Sequence, residues 1–465
     1  MIMRLKLLDY TKFLRAAGKA GLAGVIALSA ALWQPPPAAA QTQQRIQFIR
    51  DAETETIIRA YAAPIFRAAG LNPDDINVHL INDRSLNAFV AIGQNMFFHT
   101  GLLMRTENPG QLIGVIAHET GHIAGGHLAR LPEAMRDAWT ATVVSLLGAA
   151  AAAVAGRGDA AVASVLAGQQ IAERNFLRYS RALESSADQA GTTFLDRSQQ
   201  SAKGFLEFMQ ILQDQEFAMV ERQDPYVRTH PVTRERIDFI QNFVAGSRFT
   251  NAPTRPEFVE MHKRMRAKLI GYIEPARALT QYRESDTSLE ARYARGWAYY
   301  RRGDMMRAIP LMDGLLKDYP DDPWFAESRG QFTYENGRPR DAIPFYEKAV
   351  AKVPANALLR LGLASAQIAT EDPALLKAAI ENLIAAQARE PETAEIHRQL
   401  AVAYGRDGQM GMAALSQAEY ALLMGQRVAA RGFAERAERL LPAGSTYILR
   451  AQDIKNAIDP RPPRQ

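Results

Sequence analysis

One spacing governs the C-terminal half of this chain. Gly296, Ala308 and Pro320 recur 34 residues later as Gly330, Ala342 and Pro354. Ala379, Leu383, Ala386 and Pro391 repeat the later part of that unit after a three-residue insertion. Tyr404, Ala413 and Gln417, then Ala430, Ala437 and Pro442, continue it more weakly. A period of this length accommodates two helices and their turns, with small residues where the helices touch and proline closing each unit. Roughly four units are counted over residues 289–457. A single unit cannot bury its apolar face, so the units must stack into a curved solenoid whose concave side can bind protein.

The N-terminal half carries the chemistry. His118-Glu119-Thr120-Gly121-His122 has the form H-E-x-x-H. Residues four apart project from one face of a helix, so His118 and His122 can hold one Zn²⁺ while Glu119 serves as general base. A catalytic site needs a third protein ligand and one open position. His127 is the nearest candidate, but on a continuous helix it falls on the far side, so it is expected to be a packing or surface residue. Glu184, in Ser180-Arg181-Ala182-Leu183-Glu184-Ser185-Ser186-Ala187-Asp188, would complete a His₂Glu set. Asp188, one turn on, could accept the second ring N–H of a ligating histidine. The other reading is a solvated helix face on which Arg181, Glu184 and Asp188 pair with one another.

Upstream, residues 43–69 have helical periodicity, Asn72-Pro73-Asp74-Asp75 is a turn, and Ile76–Ile81 alternates as a strand. Ala88–Ile92 and Met96–His99 form a candidate strand pair. Residues 87–99, with Asn87, Ala88 and Phe89, are the candidate edge on which an extended substrate adds; a core hairpin is the alternative.

These segments resemble the HtpX/CAAX-prenyl-protease class of gluzincin metallopeptidases. The resemblance rests on Asn87-Ala88-Phe89, Gly101-Leu102-Leu103, Ile116 to His122, Gly126-His127, and Glu184 to Gly191. It implies one Zn²⁺ per chain held by His118, His122 and Glu184, with Glu119 catalytic. Thr229-His230-Pro231, followed by Arg236, resembles that family's His-Pro segment. Three roles stand open for His230: a ligand in the fourth position at rest, an oxyanion donor, or a structural helix start.

The leader, residues 1–40, pairs a basic start with an apolar run from Ala20 to Trp33 and an Ala38-Ala39-Ala40 cleavage site. It is expected to be a signal peptide directing the chain to the periplasm. The whole sequence is +5, but the leader holds five bases against Asp9, so the mature part is nearly neutral and gives no case for nucleic acid. There is no cysteine, which excludes disulfides and thiolate chemistry.

The expected fold is mainly α: an α+β zincin-like metalloprotease core with a small sheet over residues 41–255, then an all-α tetratricopeptide-repeat solenoid over 289–457. Within the core, 131–173 reads as an apolar helical hairpin, with peripheral membrane contact open. Residues 256–288 read as a connecting helical segment whose bases Lys263, Arg264, Arg266 and Lys268 face solvent, and 458–465 as a disordered tail. Leader, gluzincin core and repeats together resemble a family of periplasmic proteases that enhance outer-membrane barrel assembly. That layout implies unfolded protein substrates and contact with the barrel-assembly machinery through the repeats. The alternative is a chaperone or adaptor whose protease site is normally closed.

Overall fold

The structure, a computed structural model, describes residues 47–91, 94–127, 180–216, 226–227 and 230–458. The leader, the 131–173 insert and the tail after Ile458 lie outside the described residues.

The chain enters at β1 (Phe48–Ile49) and helix α1 (Ala52–Ala68), capped by Asp51, whose side chain accepts from Thr54 N. The helix therefore starts later than its periodicity suggested, because Asp51 offers the first free N–H groups a partner that the preceding residues lack. A 3₁₀ turn at Pro73–Asp75 leads into β2 (Asn77–Ile81), then β3 (Ala88–Ala91) and β4 (Asn95–His99). The sheet order is β1-β2-β4-β3, with β2 and β4 parallel and both other pairs antiparallel. Within the 87–99 stretch only β3 lies at the edge; β4 is interior.

Next come α2 (Thr100–Arg105), α3 (Pro109–Ala124), α4 (180–197), α5 (Lys203–Glu216) and α6 (Arg234–Gly246). One core joins the inner face of the sheet (Val78, Leu80, Val90, Met96, Phe98) to Ile58, Tyr61 and Ile65 of α1, Val115 and Ile116 of α3, and Phe205 and Phe208 of α5.

The same core takes in Phe258, Met265 and Leu269 of α7 (Pro256–Ile273), which is followed by α8 (Pro275–Gln281). The expectation that this segment turns its bases to solvent fails for two of them. Lys268 is 3% exposed and meets Asp51 at 2.5 Å, while Arg264 pairs with Glu53 at 2.9 Å and Asp322 at 2.6 Å. Burying such groups is tolerable only because acids from both halves of the chain surround them.

The repeats comprise α9 (Leu289–Arg301), α10 (Met305–Asp318), α11 (Pro323–Glu335), α12 (Pro339–Lys352), α13 (Ala357–Ala369), α14 (Pro373–Arg389), α15 (Ala394–Arg406), α16 (Met410–Leu423), α17 (Arg427–Leu440) and α18 (Thr446–Ile458). That makes five helix pairs, one more than the sequence period revealed. The turn inside the first four pairs uses one left-handed residue each: Gly303, Gly337, Glu371 and Gly408. These keep the 34-residue step, with the three-residue insertion before the last. No helix among the described residues is long and apolar enough to cross a membrane.

Candidate active site

α3 begins at an Asn108 cap with Pro109 in its first turn, and its sequence puts His118 and His122 one turn apart. α4 crosses it at very short range. A Cβ on Gly121 would lie 2.6 Å from Ala187 O, and one on Gly191 would lie 3.0 Å from Ala117 C. Only glycine at Gly121 permits this approach, and the approach brings Glu184 and Asp188 of α4 beside the two histidines.

His118, His122, Glu184 and His230 form a buried cluster whose donor atoms all lie within 4.8 Å of one another. His118 Nε2 is 3.2 Å from His122 Nε2 and 3.3 Å from Glu184 Oε2, and His122 Nε2 is 3.3 Å from Glu184 Oε1. His230 Nδ1 lies 3.4 Å from His118 Nε2 and 3.1 Å from both Glu184 oxygens. Four N or O donors bound tetrahedrally at about 2.0–2.1 Å stand about 3.3 Å apart, so this set fits one zinc-sized cation.

The surroundings fit the same group. His118 Nδ1 donates to Asp188 Oδ1 at 2.9 Å, which leaves the Nε2 lone pair aimed into the cluster. Burial would lower His118, yet hydrogen bonds with Asp188 and Glu184 hold it up at about 9. Burial drives His122 down to about 3, against Glu184. Burial would raise Glu184, but the three histidines keep it well below the usual carboxylate range.

Glu119 is fully buried; neither of its carboxylate oxygens has a hydrogen-bond partner, and burial pushes its pKa up. His230 Nε2 lies 3.6 Å from Glu119 Oε1. Asn87 Oδ1, just before β3, is also buried without a partner.

Tyr226 escaped sequence reasoning, and the contacts of Arg236 and His127 were not foreseen. Arg236 was visible only by its spacing from His230. It donates to both oxygens of Asp188, at 2.6 and 2.9 Å, and Nη1 reaches Glu184 Oε2 at 3.1 Å. Tyr226 packs on His230 with ring centroids 4.6 Å apart, and its backbone N–H donates to Leu86 O, so the His230 loop is tied to the start of β3. His127 is not across a continuous helix. α3 ends at Ala124, Gly126 takes φ +61°, and His127 folds back to place Nδ1 3.0 Å from His122 Nδ1. The Gly125-Gly126 pair was a readable helix stop.

Residues 49–244 match peptidase family M48. The chain carries an M48 peptidase domain. With that domain it is a metalloendopeptidase. Beta-barrel assembly-enhancing protease of Yersinia pestis is 26% identical over 378 residues, spanning 79% of this chain and 75% of that one. The protein of that name from Escherichia coli (strain K12) is 26% identical over 314 residues, spanning 63% and 61%. The crystal structure of MamA covers 35% of this chain and 91% of its own at 22% identity, with a TM-score of 0.28. The M48 match covers β1 to α6, including all four donors of the cluster; the helix pairs lie beyond it.

Proposed function

We propose that this chain is an exported zinc-dependent endopeptidase that cleaves unfolded or stalled envelope proteins, with its repeats recruiting substrate or the outer-membrane barrel-assembly machinery. The observation that carries the chemistry is the close grouping of His118, His122, Glu184 and His230 beside Glu119, whose carboxylate has no hydrogen-bond partner. The relatives named for beta-barrel assembly support the substrate class, and the leader supports a periplasmic location.

A zinc ion in that cluster would supply Lewis acidity to the scissile carbonyl and to water beside it. The chain's residues do the rest. Asp188 and Arg236 fix the His118 ring, so its Nε2 lone pair cannot turn away. Glu119 takes the water proton and returns it to the leaving amine. The substrate chain lies along β3, held by main-chain hydrogen bonds and by the unpartnered Asn87 side-chain Oδ1, which accepts a substrate N–H. His230, once it swings off the cluster, would donate to the oxyanion, and the Tyr226 ring packs on it.

Glu119→Gln should keep bound zinc at the wild-type level and lower cleavage of an unfolded substrate by about 10²–10⁴-fold. Cleavage at the wild-type rate by a clean preparation of that variant would sink the assignment.

The second reading, a chaperone-like resting state with a closed site, is favoured by one observation: His230 stands where substrate would need room, 3.1 Å from Glu184. His230→Ala should therefore raise basal cleavage several-fold at unchanged zinc content. A fall in cleavage would assign His230 to catalysis rather than to closure.

A further inference from the structure

The outer face of the small sheet is aromatic. Side chains alternate between faces, and the inner set is buried in the core. The outer face of a half-buried sheet is ordinarily polar. Here Phe89 of β3 stands opposite Phe97 of β4, and Phe97 opposite His79 of β2. The Phe89 and Phe97 rings stack with centroids 4.8 Å apart, and Phe97 and His79 stack at 4.7 Å. Phe48 of β1 adds a fourth ring, 6.2 Å from Phe97 and 53% exposed. The row crosses all four strands and ends on Phe89.

The edge at which it ends carries no guard. β3 reads Ala88-Phe89-Val90-Ala91, without the charge or proline by which edge strands avoid pairing. No charged side chain occurs in any of the four strands. Among the described residues β3 pairs with β4 alone, and it packs against α3, the helix that bears His118 and Glu119. The aromatic row thus ends on the strand that lies beside the motif helix.

We propose that this row is a specificity surface: a substrate strand added to β3 places every second side chain in line with Phe89, and the row selects chains with aromatic or large apolar residues at those alternate positions. This rests on the reading that substrate pairs with β3. The geometry that favours it is the register itself. Directly opposed side chains on one face of a sheet interact as pairs, and aromatic pairs gain most. A strand laid beside β3 would extend the row by one ring. Alternation of apolar and polar residues, with frequent aromatics, is the habit of strands destined for membrane β-barrels, so the surface would prefer an unfolded barrel protein to an unfolded helical one.

The test uses the full chain with Glu119→Gln, so that peptides bind without being cut. Two fluorescein-labelled peptides of identical composition are compared by anisotropy, one with aromatics at alternate positions and one with the same aromatics consecutive. The alternating peptide should bind about three- to tenfold more tightly. Adding Phe89→Thr, which keeps a strand-forming residue, should reduce that ratio to near one. Phe89→Tyr should preserve the ratio. An undiminished preference in the Phe89→Thr chain, or equal binding of the two peptides by the parent, overturns the proposal. A third peptide, N-methylated at alternate amides of the alternating sequence, separates the two claims. If methylation leaves its affinity intact, the strand-addition reading fails, and with it this one. If methylation abolishes binding while Phe89→Thr leaves the preference unchanged, strand addition stands and the aromatic selection falls.

Discussion

At the residue scale, the features that set this site apart lie one contact behind the four donors. Asp188 meets both His118 and Arg236, and Arg236 also reaches Glu184, so one guanidinium spans two acids of α4. Asp188→Asn should weaken zinc binding by about 10–100-fold, measured by chelator competition, because the amide can no longer fix the His118 tautomer by charge. Arg236→Met should cost more in stability, about 3–5 kcal/mol by denaturant titration, since it strands two buried carboxylates. The pair His118 and His122 was legible in the sequence because a spacing of four on a helix is local. Glu184 was legible as a ligand only through family resemblance; by itself its helix also read as a solvated face. The contacts of Arg236 and Tyr226 were not legible, because each is made across more than 40 residues of chain, Arg236 to Asp188 and Tyr226 to Leu86.

At the element scale, helix crossing and strand order decide what the motif can reach. The contact of Gly121 with Ala187 sets the distance between α3 and α4. Gly121→Ala should push the helices apart, cost about 1–3 kcal/mol and weaken zinc binding together, because Glu184 rides on the displaced helix. In the repeats, the turn residue Glu371 takes φ +58° where the equivalent positions are glycine. Glu371→Gly should stabilise the array by about 0.5–1 kcal/mol in thermal or denaturant melts. Repeat period and helix identity were readable because both recur within a few turns. Strand order was not: the parallel pairing of β2 with β4 puts β3 alone at the edge, and no local pattern encodes which strand lies beside which.

At the scale of the molecule, the described residues from Phe48 onward belong to one unit, and the repeats grip the start of α1. Arg50 pairs with Glu390, Tyr293 Oη donates to Glu53, and Ala52 packs among Ala326, Ala349 and Leu359. Within this junction Lys268 lies among Asp51, Glu53 and Glu327. Burial pushes the Glu327 carboxyl up to about 7 from an ordinary 4.5. The folded chain therefore holds a proton that the unfolded chain releases between those values, and the junction loses stability as pH rises through that window. Glu327→Gln cannot lose the proton, so its melting temperature relative to wild type should climb from pH 4.5 to pH 7 and then level off. A constant difference across that range would show that Glu327 is ionised throughout.

The sequence by itself determined the helix that pairs His118 with His122, the glutamate between them, and a repeated helix pair downstream. Each depends on residues within one turn or one repeat, where spacing dictates geometry. The tertiary structure alone decided that His230 joins the donors, that β3 is the edge, and that Lys268 and Arg264 face inward. Those outcomes depend on contacts between residues far apart in the chain, such as Glu53 with Tyr293, 240 positions away, which only packing brings together.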